Sequence, residues 1–84
     1  MTDTTADADK IDEAVLALLH LTGFNDGTRG QPVWRAWKGH DWDALDRLHR
    51  KGYISNPASK AKSVVFSEEG RREAERLFKK LFSP

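Results

Sequence analysis

The side chains best suited to chemistry in this chain are three histidines and the carboxylates near one of them. His20, His40 and His49 lack the spacing of a metal site, and the chain contains no cysteine to complete one. Asp41 and Asp43 lie just after His40, but a helix-capping aspartate and a solvent-facing histidine explain them more simply. No paired catalytic carboxylates, nucleophile–base pair or glycine-rich phosphate loop stands out. The sequence therefore predicts no enzyme, no metal and no cofactor.

Basic side chains suggest instead a contact with a polyanion. Lys60 and Lys62 lie near the tip of a predicted hairpin, and no acidic residue is closer to them in sequence than Glu68. Such a patch would bind phosphates without sequence specificity and in a salt-sensitive way. An equal alternative is that these lysines protect an edge strand from aggregation. Four further basic residues are expected to join the patch in space: Arg35, Lys38, Arg71 and Arg72.

A second set of basic residues lies on the helix predicted to begin after Asp41. Arg47 and Arg50 are donors of the kind that read base edges in DNA. Three aspartates bring the formal charge of this helix to zero, and two of them stand four residues before the arginines. A solvated, self-paired surface is therefore favoured over sequence-specific DNA recognition by this helix.

Three tryptophans and an apolar C-terminal helix indicate contact with another protein. Alternation along a strand places Trp34 and Trp37 on opposite faces, so one of them is expected to face a partner. Base stacking by these rings has little support without further aromatic side chains around them. Four apolar residues at helical spacing complete the predicted interface: Leu77, Phe78, Leu81 and Phe82. This pattern predicts a homodimer or an adaptor surface.

Length and charge limit these interpretations. The 84 residues suffice for one small domain. No apolar stretch approaches the roughly 20 residues that span a bilayer, so a cytoplasmic protein without membrane contact is expected. Residues 1–26 carry six acidic side chains and one lysine, whereas residues 27–84 carry thirteen basic and seven acidic ones. A basic body favours a polyanionic partner, although solubility explains the same charge pattern.

The first half of the chain predicts a tail, a helix and a strand. Residues 1–8 form a predicted disordered acidic tail, and residues 9–84 form the single domain. Asp9 caps the first helix, which ends at Gly23. A predicted loop then leads to a strand at residues 33–38.

The second half predicts a helix, a hairpin and a last helix, which gives an α+β domain of order α-β-α-β-β-α. The second helix runs from Asp41 to Gly52, and a hairpin then pairs residues 53–55 with residues 63–66. Ser67 caps the last helix. The predicted core draws on all of these elements: Ile11, Val15, Leu18, Leu19, Trp42, Leu45, Leu48, Ile54, Val65, Leu77, Phe78 and Leu81.

Two resemblances rest on the same residues. The segments RAWKG at 35–39, DWDALDRLHRKGYIS at 41–55 and KAKSVV at 60–65 are similar to a family of small bacterial proteins of unknown function. More distantly, the Leu48–Ile54 segment and VVFSEEG at 64–70 resemble the last helix, wing and C-terminal helix of winged helix-turn-helix repressors. This second likeness implies a reduced winged helix, because one helix fits between the first strand and the wing where those repressors have two.

These patterns support two functions of different kinds. The first is a nucleic-acid-associated regulatory or accessory module that contacts DNA through the basic residues. The second is a protein-interaction module, either a homodimer or an adaptor for another bacterial protein, that makes no DNA contact. The missing helix argues against major-groove docking, and the sequence leaves the two functions level.

Overall fold

A computed structural model describes residues 7–84 and shows helices and strands in the order α-β-β-α-β-α. The predicted α+β class is confirmed, whereas the predicted order α-β-α-β-β-α is wrong. The elements are α1 (Ala8–Leu21), β1 (Phe24–Asn25), β2 (Trp34–Trp37), α2 (Trp42–Arg50), β3 (Ser63–Val65) and α3 (Glu68–Phe82).

α1 begins earlier than its predicted cap at Asp9. The carboxylate of Asp7 accepts hydrogen bonds from the backbone N–H groups of Asp9 (2.9 Å) and Lys10 (3.4 Å), so Asp7 is the N-cap. Of the predicted disordered tail, residues 7 and 8 therefore belong to the start of this helix, and residues 1–6 lie outside the described residues. The predicted end is confirmed, because the helix stops just before Gly23.

The three strands form one antiparallel sheet in the order β1-β2-β3. β1 lies where the sequence predicts a loop, and its Phe24 pairs with Arg35 of β2. The side-chain oxygen of Asn25 accepts hydrogen bonds from the N–H groups of Gly27 (2.9 Å) and Val33 (3.1 Å), which folds the connection back on itself. A strand of two residues followed by turn formers carries no periodic signal, so the sequence does not reveal it.

The hairpin predicted over residues 53–66 is reduced to a single bridge between Ile54 and Phe66. Ser55 explains why its first arm does not continue as a strand. The Ser55 N–H donates to the carbonyl of Val65 (2.8 Å), and the Ser55 hydroxyl accepts from the Val65 N–H (2.9 Å). The Ser55 hydroxyl thus takes the place of a backbone acceptor, and the backbone pairing with residues 53–55 stops there. β3 is paired regularly with β2, on its other edge.

α2 and α3 meet at a junction of backbone and hydroxyl groups. Gly52 follows α2 with a φ of 82°, and its N–H donates to the carbonyl of His49 at 2.9 Å. The Ser67 hydroxyl accepts from the N–H of Gly70 (2.9 Å) and donates to the carbonyl of Gly52 (2.6 Å). The predicted end of α2 and the predicted cap of α3 are therefore confirmed, and the two are bonded to each other.

The core lies between the helices and one face of the sheet. Ala36 of β2 and Val64 of β3 are paired in register and fully buried there. Six predicted core residues are buried, namely Val15, Leu19, Leu45, Leu48, Ile54 and Leu77, and Phe78 packs against them. Leu18 and Val65 are half-buried. The core also includes residues that the prediction omits: Leu16, Ala17, Ala36, Ala44, Val64, Phe66 and Ala74.

Three residues predicted for the core are exposed instead. Ile11, Leu81 and Trp42 have exposed fractions of 36%, 43% and 62%. Each lies in the first or last turn of its helix, where the neighbouring elements no longer cover the apolar stripe. Helical spacing alone assigns such residues to the buried face, because it does not show where the packing partners end.

We expect Gly70→Ala to lower the free energy of unfolding by about 1–3 kcal/mol or more. A Cβ at this position would overlap the carbonyl oxygen of Tyr53 and lie 2.6 Å from its carbonyl carbon. Backbone atoms cannot move aside as a side chain can, so the clash outweighs the gain of about 1 kcal/mol that alanine normally brings to a helix.

Gly30→Ala is the matched control, because nothing lies within 4 Å of a Cβ at that position. Urea denaturation of both variants measures the difference. Equal stability of the two would show that α3 does not need its close approach to Tyr53.

Candidate functional site

Arg47, a predicted DNA contact on α2, is directed to a buried carboxylate of α1. Asp12 is 1% exposed, and Nε and Nη2 of Arg47 donate three hydrogen bonds to its oxygens at 2.8 to 3.0 Å. Lys51 Nζ donates a fourth at 3.3 Å and lies 3.7 Å from Asp9. This cluster joins α1 to the end of α2, and it removes Arg47 from the candidate interface.

The surroundings of Asp12 keep it charged. Burial raises the pKa of this carboxyl, but hydrogen bonds from Arg47 and Lys51 and their positive charges outweigh burial, so the pKa of Asp12 lies below its ordinary value. The hydrogen bonds to Asp12 also raise the pKa of Arg47. Arg47 thus faces α1 rather than Asp43, the partner that its i,i+4 spacing predicts.

Two further predicted DNA contacts form exposed ion pairs along their own helices. Arg50 Nη2 lies 2.6 Å from a carboxylate oxygen of Asp46, which is the i,i+4 pair predicted for α2. Arg72 Nη1 lies 3.3 Å from Glu68 in the same arrangement on α3. Exposed pairs of this kind contribute only about 0.3–0.5 kcal/mol, so they order the side chains weakly.

Arg35 and Arg71 contact opposite faces of the sheet. Arg35 Nε lies 3.1 Å from Asp26, and its Nη1 donates to the Ser63 hydroxyl at 3.2 Å. The guanidinium carbon of Arg71 lies 3.7 Å from the ring centroid of Trp34, a cation–π stack on the face that the helices cover. Arg71 therefore lies against the ring and shields it from solvent.

Lys38 fixes the segment at residues 56–62, which is called the lysine loop below. Its ammonium group donates to the carbonyl oxygens of Pro57 and Ser59, both at 2.7 Å. The same group lies 5.9 Å from the ring centroid of Trp42. Lys38 therefore holds the loop in place rather than facing a ligand.

Lys60 and Lys62 lie on the lysine loop with exposed side chains. Across residues 7–84, neither lysine has a carboxylate within ion-pairing distance. The loop leaves the sheet at the Trp37 end of β2, whereas Arg71 lies at the Trp34 end. The eight predicted basic residues thus do not form one continuous patch, and the structure brings together Lys38, Lys60 and Lys62.

The sheet face that the helices leave open carries an aromatic pair. Phe24 and Trp37 have ring centroids 5.1 Å apart, and Trp37 is 56% exposed. Trp34 packs against the core on the other face, as the predicted alternation requires. The sequence does not predict the role of Phe24, because only the pairing of β1 with β2 brings it beside Trp37. The one local signal for Phe24 is its position directly after Gly23, the glycine that follows α1.

The predicted interface on α3 is only partly at the surface. Leu77 is buried in the core, which corrects its assignment to an interface. Phe78 is half-buried between the rings of His20 and Phe82, with centroid distances of 5.2 and 5.3 Å. Phe82 and its neighbour Leu81 are 50% and 43% exposed at the end of the helix.

Residues 7–84 contain neither a cluster of metal-binding side chains nor a membrane-spanning helix. The His, Asp and Glu side chains of this segment do not cluster in threes as metal binding requires. None of the helices in the same segment combines the length and the apolar character needed to cross a membrane.

Comparison with known proteins gives the chain a family. The profile of a family described as a domain of unknown function, DUF6429, matches residues 7–84. This chain belongs to the DUF6429 family. An uncharacterized protein y4hR from Sinorhizobium fredii (strain NBRC 101917 / NGR234) is 51% identical over 77 residues, which cover 92% of this chain and 95% of that protein. No solved structure matches the chain significantly. The predicted resemblance to a family without assigned activity is confirmed.

We expect Asp12→Asn to destabilise this DUF6429 domain by about 1.5–3 kcal/mol at neutral pH, because it removes the charge that accepts the hydrogen bonds of Arg47 and Lys51. The pKa of Asp12 is lowered in the folded state. Its contribution is therefore complete above the unfolded-state pKa of about 4 and is lost as the pH falls through the folded-state pKa. Asp12→Asn should flatten the acid limb of the stability curve below about pH 4.

Urea denaturation between about pH 2 and pH 7 measures both effects. Asp46→Asn is the matched control, because it removes an aspartate from an exposed ion pair of α2. Parallel stability curves for the wild type and Asp12→Asn would contradict the linkage.

Proposed function

We propose that this DUF6429 domain is a non-catalytic, nucleic-acid-associated accessory module whose phosphate contacts come from the lysine loop. The observation that carries the proposal is the exposed pair Lys60 and Lys62, which has no ion-pair partner in the described part of the chain. Ammonium groups in this state bind phosphates without sequence specificity and release counterions on binding.

The order of the lysine loop supports the proposal. Lys38 ties the loop to the end of β2, and Pro57, a residue of the loop itself, is buried. The side-chain oxygen of Asn56 accepts a hydrogen bond from the N–H of Ala58 at 2.9 Å and closes a turn at the start of the loop. A loop that is already ordered loses less conformational entropy when it binds a ligand.

The connectivity favours a reduced winged helix in which the lysine loop has the place of the wing. β2 precedes α2, and β3 returns from the lysine loop to pair with β2. A single helix lies between β2 and the Ile54–Phe66 bridge, and its two arginines face carboxylates. Contact through the lysine loop, rather than insertion of α2 into a major groove, is therefore the proposed mode of binding.

The charge-reversal variant Lys60→Glu/Lys62→Glu tests the proposal. We expect at least a roughly tenfold loss of affinity for DNA at about 50 mM salt, similar for all sequences, and a salt dependence that is shallower by about two phosphate contacts. Fluorescence anisotropy with a labelled duplex of random sequence, at about 50 and 200 mM salt, measures both quantities.

Lys10→Glu/Lys80→Glu is the matched control, since it makes the same change in net charge at two exposed lysines on α1 and α3. Equal losses of affinity in the two double variants would show that the effect comes from net charge alone and not from the lysine loop. A wild-type protein that binds neither single-stranded nor double-stranded nucleic acid at low salt would overturn the proposal.

A second candidate function is self-association through the end of α3. The observation that favours it is the pair Leu81 and Phe82, which stay half-exposed while Phe78 beneath them is partly covered. Exposed apolar side chains next to an aromatic ring are typical of interface centres. Under this proposal a second copy of the chain covers them.

We expect Phe82→Ser to shift a dimer toward the monomer in sedimentation equilibrium, because it removes the most exposed ring of α3. Leu21→Ser provides the control, since Leu21 is 60% exposed at the end of α1. A wild-type chain that remains monomeric at high micromolar concentration would rule out this function.

A further inference from the structure

The open face of the sheet brings together groups that suit a nucleobase. Phe24 is paired in register with Arg35, and Arg35 and Trp37 are two residues apart on β2. Side chains of paired residues, and of residues two apart on a strand, share one face of a sheet. Phe24, Arg35 and Trp37 therefore lie on the face opposite to the buried Ala36 and Val64.

The aromatic pair is available on this face. The ring planes of Phe24 and Trp37 are tilted by 35° with their centroids 5.1 Å apart, and more than half of Trp37 remains exposed. An exposed tryptophan supported from one side by a second ring is a stable platform on which a flat base can stack.

Cations flank the aromatic pair. Beyond the pairing of Trp37 with Ser63, the Lys38 N–H donates to the Lys62 carbonyl at 3.2 Å, so the lysine loop starts where the aromatic pair ends. Arg35 lies beside Phe24 on the same face, and its carboxylate partner there is Asp26 at 3.1 Å. One arginine on this face and two exposed lysines on the loop that adjoins its end complement a strand of phosphates and bases.

These features favour a single strand over a duplex. Bases in a duplex are stacked on each other, and their faces cannot reach an aromatic side chain on a sheet. The helix that would enter a major groove, α2, has its arginines on carboxylates. A single strand exposes both its bases and its phosphates to a surface of this kind.

We propose that Trp37, Phe24 and Arg35 form a stacking platform for single-stranded nucleic acid, with the lysine loop holding the adjacent phosphates. The proposal deepens the proposed function and rests on it. Trp37 stacks on a base, and Phe24 supports the Trp37 ring. Arg35 binds a phosphate, which competes with Asp26 for the guanidinium group.

Trp37→Ala tests the platform by anisotropy with labelled oligo(dT), with oligo(rU) of equal length, and with the random duplex. We expect a loss of roughly 5- to 150-fold for the single strands, the range for removing one stacked base contact, and little change for the duplex. Trp37→Phe should recover most of the affinity. The tighter of the two single strands identifies DNA or RNA as the preferred ligand.

Phe82→Ala is the matched control, because Phe82 is an aromatic residue that is 50% exposed at the end of α3, where its ring contacts Phe78. Circular dichroism confirms that both alanine variants fold. Unchanged affinity of Trp37→Ala for single strands overturns the platform while the duplex data still test the lysine loop separately. A wild type that binds none of the three probes overturns both proposals.

Asp26→Asn gives a test in the opposite direction. This change removes the competing carboxylate and leaves Arg35 bonded only to the neutral hydroxyl of Ser63, so binding of oligo(dT) should tighten several-fold. Arg35→Gln in the same background should cancel the gain. An unchanged or weaker affinity of Asp26→Asn would overturn the role of Arg35 in the platform.

Discussion

The fold depends on the buried charge of Asp12. Among residues 7–84, Asp12 is the charged residue that the fold buries completely, and an unpaired charge there would cost several kcal/mol. Arg47 and Lys51 supply the counter-charge from the last turn of α2 and the residue after it. Because both cations must reach the same carboxylate, α2 can pack against α1 in only one rotation about its own axis. That rotation places Leu45 and Leu48 in the core and leaves Asp43 exposed and Asp46 half-exposed on the outer side of α2.

Stability and the proposed binding therefore draw on different basic residues. The cations of α2 are held by Asp12 and Asp46, whereas the lysine loop keeps its two ammonium groups at the surface. The helices cover one face of the sheet, and the other face retains Phe24 and Trp37. A small domain whose helices cover only one face of its sheet can keep exposed aromatic side chains on the other face without weakening its core. The surfaces proposed for binding are the ones that the packing does not use.

Local signals predicted much of this fold. The caps at Asp41 and Ser67 and the glycine after α2 were predictable because capping involves residues only a few positions apart. The role of Asp12 was not predictable. An acidic residue in the first turn of a helix normally indicates an interaction with the helix dipole, and its partner Arg47 lies 35 residues away. The contact of Phe24 with Trp37 requires a strand register that no short segment encodes. The exposure of Lys60 and Lys62 and the i,i+4 pair of Arg50 with Asp46 were predictable, whereas the long-range contacts of Arg47, Lys38 and Arg71 were not.

The bond from the Ser67 hydroxyl to the Gly52 carbonyl closes the intervening segment at its base. Both ends of that segment are thereby fixed to each other whatever its tip contains. Lengthening a closed loop adds only about 0.6 kcal/mol for each doubling of its length. The sequence and length of the loop tip beyond Ser59 can therefore change while the helices on either side keep their positions. The junction thus separates changes in the proposed contact loop from the packing of the helices.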